Sequence, residues 1–188
     1  MAHETLQDLY ISQLRDLYSA EQQLVKALPK LAKNAESEEL SEAFTSHLEE
    51  TKNQVSRLEE IFGSLGESPK GKKCVGMEGL VKEGAETIDE FEGAVLDAGL
   101  ISAAQRVEHY EIAAYGSVCA YAQLLDRSED LGLLKETLEE EKQADEKLNE
   151  ISESVNQQAM EGSSEETATG AKATSRETMR PRKSKSAA

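Results

Sequence analysis

Acids stand in this sequence where leucine is expected. Glu21 falls between Leu17 and Leu24, Glu108 and Glu111 between Ala104 and Tyr115, and Glu141 and Asp145 between Leu138 and Leu148, each on an apolar stripe of helical period. His47 and Glu50 lie one turn apart just after Phe44. An isolated buried carboxylate costs several kcal/mol, and in practice it either takes up a proton or is paired. Several on facing stripes repel one another, and a shared cation relieves all of them together. Oxygen-rich donors with one imidazole suit iron or manganese, and a set of six or seven suits two metal ions rather than one. The expected ligands are therefore Glu21, His47, Glu50, Glu108, Glu111, Glu141 and Asp145. In a redox-active centre Glu50 and Glu141 would be the bridging acids between ions about 3.5 to 4 Å apart.

The neighbours of these residues have their own readings. Asp145 either ligates or accepts a bond from a histidine or tyrosine. Without a metal, His47 is a half-buried polar residue. His109 points off the stripe of Glu108 and Glu111 and belongs behind the ligands or at the surface. Tyr18 and Tyr115 share the faces of Glu21 and Glu111, where they either donate to ligand carboxylates or simply pack. Glu140 is expected to face solvent and Cys119 to fill core space.

Helices must carry these side chains. Three prolines and long stretches of Glu, Leu, Ala, Lys and Gln favour an all-α chain. A first helix spans about Thr5 to Lys33, with Tyr10, Leu14, Leu17, Glu21, Leu24, Leu28 and Leu31 on one face; Pro29 should kink or restart it. A second begins at Ser37, a suitable N-cap followed by Glu38 and Glu39, and ends near Gly63. The segment from Gly63 to Gly76 reads as a loop, and residues 77–88 as an extra short helix. Two more long helices span about Asp89 to Arg127 and Asp130 to Val155. Short turns make each consecutive pair an antiparallel hairpin, and the long middle link makes a four-helix bundle with one long crossover. Counted from a turn at Ala35, Glu21, His47 and Glu50 lie at a similar height, about 20 Å away at 1.5 Å per residue. Glu111 and Asp145 are equally far from a turn at Ser128, with Glu108 and Glu141 within about one turn of them. Each helix thus delivers donors to one layer.

Composition bounds the rest. The 188 residues carry 37 acidic and 21 basic side chains, a net charge of -16, and no tryptophan. So acidic a body repels a nucleic-acid backbone. No apolar run is long enough to span a membrane, and the N-terminus lacks the layout of a secretion signal, so a cytoplasmic protein is expected. Cys74 and Cys119 form no zinc set, and a disulfide between them is disfavoured in a reducing compartment. Leu, Ile, Val and Phe make up about a quarter of the first 155 residues and vanish after Gln157, which divides the chain into a bundle at 1–155 and a low-complexity, disordered tail at 156–188. The tail ends with Arg176, Arg180, Arg182, Lys183 and Lys185 against Glu177. It is expected to be a flexible, solvated segment; weak nucleic-acid contact is the alternative.

The segments YSAEQQL, HLEET, DAGLISAAQRVEHYEIAAYG and LLKETLEEEKQADEKL resemble the ferritin-like family of bacterial YciE/YciF stress proteins, over about Leu6 to Ile151. The resemblance implies a ferritin-like bundle, usually a homodimer, with a carboxylate-bridged dimetal site similar to that of rubrerythrins. By motif that site maps to Glu21, His47, Glu50, Glu108, Glu111 and Glu141, with Asp145 beside them. One departure stands out: ferritin-like di-iron proteins commonly carry Glu-x-x-His on two helices, whereas here His47 precedes Glu50 and the fourth helix has no histidine. Two functions follow as expectations. One is a redox-active iron or manganese protein that meets dioxygen or peroxide, or handles iron, under stress. The other is a non-enzymatic dimeric helical stress protein in which metal is only structural.

Overall fold

The computed structural model describes residues 4–174, with side chains to 162. Five helices follow in order: α1 (Leu6–Asn34), α2 (Glu38–Leu65), α3 (Val75–Glu90), α4 (Gly93–Leu124) and α5 (Ser128–Thr174). No strand occurs among the described residues. The four long helices form the expected bundle, with α1 paired to α2 and α4 to α5, and the crossover carries the short α3 against α1 and α4.

Local chemistry sets the helix ends. Thr5 and Asp8 close a reciprocal capping box at the start of α1. Ser37 caps α2 as expected, accepting from the Leu40 N–H. Gly66, at φ 66°, ends α2 in the left-handed conformation that a side chain resists. Cys74 caps α3, and its own backbone is held by Ser19 and Gln23 of α1. Asp97 near the start of α4 accepts from the Glu36 and Ser37 N–H groups at 2.9 and 2.7 Å, which fixes that helix to the α1–α2 turn.

Three boundaries differ from the sequence reading. Asp89 lies in the last turn of α3, and the long helix expected to begin there starts at Gly93. Pro29 does not restart α1, which is continuous through it. Proline removes only one backbone bond, and Leu24 and Leu28, buried on the preceding turns, hold the helix in place. Nor does the last helix end near Val155: α5 continues to Thr174, through the proline-free and helix-tolerant segment NQQAMEG. The low-complexity segment thus starts as a helix. The basic cluster from Arg176 to Lys185 lies outside the described residues.

The interior divides in two. One apolar cluster gathers Leu24, Leu28, Phe44, Leu100, Ile101, Leu148 and Ile151; the other gathers Tyr10, Leu14, Leu17, Leu58, Phe62, Tyr115, Val118 and Leu134. Every long helix passes from one cluster to the other, and each carries polar residues at the crossing. No described helix is long and apolar enough to cross a membrane.

Candidate metal centre

The crossings form a single layer. Glu21 of α1, His47 of α2, Glu108 and Glu111 of α4 and Glu141 of α5 are all buried there. Donor atoms of His47, Glu108, Glu111 and Glu141 lie within 4.8 Å of one another. The His47 Nε2 atom is 3.6 Å from Glu108 and 3.8 Å from Glu141. Its Nδ1 atom lies 3.2 Å from a Glu50 oxygen, a bond that aims Nε2 into the layer. Glu21 accepts a 2.5 Å bond from the Tyr115 hydroxyl, so one of its oxygens is fixed and the other is free.

What distinguishes the layer is unmet bonding. Six carboxylate oxygens, one each from Glu21 and Glu108 and both from Glu111 and Glu141, are buried without a hydrogen-bond partner, as is the His47 Nε2 atom. Folded proteins leave few such groups, because each forfeits its hydration without replacement. A cation surrounded by these atoms would satisfy them together, so the residues present fit a metal.

The electrostatics agree. Burial, then the charge of Glu141, pushes the Glu21 carboxyl up to about 8. Burial pushes Glu108 up to about 8 as well, with Glu21 and Asp145 adding to the rise. Glu111 and Glu141 are also raised well above the ordinary carboxyl range, by burial first; neighbouring acids add to the rise, and at Glu141 the charge of His47 opposes it. Burial opposes the charge on His47, but Glu50 and Glu141 outweigh it and hold the imidazole above its ordinary range. Without a cation these acids therefore retain protons that solvent-exposed carboxyls would release.

Other sequence candidates lie at or beyond the margin. The Glu50 side chain is 42% exposed and outside the tight group, bonded to His47. Asp145 is mostly buried and 3.4 Å from His109, whose own side chain is 70% exposed. Tyr18 turns away: three residues rotate it about 60° from Glu21 on the helix, and its hydroxyl donates to Glu59 at 2.8 Å. Glu140, expected to face solvent, is instead gripped by Arg57 at 2.6 and 2.7 Å and by the Gln54 amide at 3.1 Å. Its helix side faces α2, and α2 supplies the countercharge. Cys74 and Cys119 are buried free thiols.

Sequence reasoning missed Thr51 and Gln54, both fully buried in this layer. Thr51 spends its hydroxyl on the His47 carbonyl, while the Gln54 side-chain oxygen has no partner. A signal was present: Phe44, His47, Thr51, Gln54 and Leu58 make one helical stripe that turns polar at the height of the acids.

Comparison with known proteins agrees with this architecture. A family described as a domain of unknown function, DUF892, matches residues 5–161. Over 162 residues the chain is 48% identical to the protein YciF of Escherichia coli strain K12, covering 85% of this chain and 98% of that one. The crystal structure of the E. coli stress protein YciF superposes with a TM-score of 0.80 at 46% identity, covering 82% of this chain and 99% of the other. The structure of YcfI from Rhodopseudomonas palustris gives 0.75 at 47% identity, covering 78% and 94%.

Proposed function

The chain belongs to the DUF892 family, and from that premise we propose that it is a metal-binding stress protein whose polar layer holds two ions, iron or manganese, and meets dioxygen or peroxide or handles iron. One observation carries this reading: six buried carboxylate oxygens and an imidazole nitrogen converge without partners. The E. coli relative is described as a stress protein, which supports the setting. A cytoplasmic homodimer is the assembly that accompanies it.

Iron or manganese bound there would supply one-electron chemistry toward an oxidant. The chain supplies the rest. His47, Glu108, Glu111 and Glu141 form the centre of the donor set, with Glu21 beside them and Glu50 and Asp145 at the margin as the next donors. Tyr115 orients Glu21, and Glu50 orients His47. The two apolar clusters exclude water above and below the layer. A cleft between α2 and α5 reaches His47 and Glu108 from outside and is wide enough for a small oxidant.

Elemental analysis of protein purified without chelator, with anomalous scattering at the iron and manganese edges, tests the reading. Two ions per chain are expected. Glu111→Leu should lose at least one while keeping full helicity, and a wild-type chain that takes up neither metal overturns the proposal. Peroxide consumption by the anaerobically iron-loaded protein then decides between a redox role and a metal that only relieves buried charge.

A further inference from the structure

The layer is not equally sealed on all sides. Glu21, Glu111 and Glu141 have no exposed surface, whereas His47 and Glu108 keep 6% and 3%. Those two residues are the members of the layer that line a cleft of about 440 Å³ between α2 and α5. Higher on its walls stand Glu42 and Glu50 from α2, and Glu140 and Lys147 from α5. Arg57 neutralises Glu140. Lys147 is committed to Glu39 at 2.8 Å and to Glu150 at 3.8 Å. Glu50 is bonded to His47, so the charge left unpaired at the cleft is that of Glu42, with an unpartnered imidazole nitrogen and an unpartnered carboxylate oxygen beneath it.

From this geometry we infer that the α2–α5 cleft is the loading port through which divalent cations reach the polar layer; the inference rests on the metal-binding function proposed above. A cleft of one sign with low-dielectric walls focuses the field and concentrates counter-ions at its mouth. An arriving hydrated cation meets Glu42 and Glu50 first, then exchanges water for the free His47 and Glu108 atoms. Approach from the α1 and α4 side requires opening the bundle. Lys147 at the mouth, its charge shared with Glu39 and Glu150, opposes the cation only in part.

Cobalt(II) binding, followed by rapid-mixing visible absorbance, tests this in the full chain, with final cobalt per chain measured after desalting. Glu42→Gln should slow loading about threefold at low salt and Lys147→Gln should speed it about twofold, both at unchanged final occupancy. High salt should erase both differences. Glu86→Gln, the same charge change on α3 and away from the cleft, should load as wild type does. If wild type loads cobalt but the two cleft variants match it in rate, the port is overturned and the metal centre stands. If wild type takes up no cobalt, the port falls, and the metal centre stands or falls with the iron and manganese measurement.

Discussion

Asp130 and Glu141 ride the same helix, both buried, about three turns apart, and they meet opposite environments. Asp130 accepts from the Tyr10 hydroxyl at 3.1 Å and from Ser64 at 3.2 Å, and it pairs with Arg127. Asp97, at the start of α4, is met in the same way by two backbone N–H groups. Glu141 has neither oxygen satisfied, and Glu111 shares that condition. The fold can therefore bury an acid and provide for it when the acid is structural. Four neighbouring acids left with six unpartnered oxygens point to a counter-charge that the polypeptide does not carry. The difference lies in what surrounds each acid, since all of them are buried.

The contrast can be broken at several points. Asp130→Ala should cost about 2 to 3 kcal/mol, with or without added metal, because it strands Tyr10 and a partly exposed Arg127; denaturant unfolding measures it, and a near-neutral result would remove the distinction. Raising the pH sharpens the other side. Glu21 and Glu108, ordinarily near 4.5, release their protons near 8 in the folded chain. Between those values the folded state holds more protons than the unfolded, so this contribution to stability is complete below about 4.5 and is lost as pH rises through about 8. Glu111, Glu141 and His47, all raised, act in the same direction, whereas Glu50, lowered chiefly by its bond to His47, acts in the opposite one. From pH 5 to 8 the metal-free wild type should lose about 5 °C more in melting temperature than Glu108→Gln. Added metal should flatten the slope, and equal slopes in the metal-free forms count against the buried acids.

Smaller effects refine the comparison. Glu111→Leu should stabilise the metal-free chain by about 1 kcal/mol, since an unpartnered acid gives way to a residue of similar volume. Glu111 is a cleaner site for this than Glu21, whose removal also strands the Tyr115 hydroxyl. A clear loss of metal-free stability in thermal melts would show that the acids are not strained. Tyr18→Phe, which removes only the hydroxyl's bond to the exposed Glu59 and keeps the ring's edge contact with Phe62, should change unfolding free energy by about 0.5 kcal/mol or less. A larger change would return Tyr18 to the site.

Much of this was legible in the sequence because helix period, caps and turn lengths are local properties. The four-three spacing of Leu14, Leu17, Glu21 and Leu24 marks the buried face of α1, and counting from the turns places Glu21, His47, Glu108, Glu111 and Glu141 at one height. The end of α5 is harder to read, because the polar residues after Val155 bury little yet have no feature that stops a helix. Glu140 is misread from sequence because its exposure depends on Arg57, which comes from another helix and follows no spacing rule along α5.

By itself the sequence determined that the chain forms an all-helical bundle with acids on its inward stripes, since a periodicity of 3.6 is written residue by residue. Only the tertiary structure decided which acids are provided with donors and which are not, which side of the layer opens to solvent, and that Glu50 braces His47 from the margin. Those outcomes depend on the rotation of each helix about its axis and, for the acids that find donors, on groups that meet across 60 to 120 positions of sequence. Neither is fixed until the helices pack.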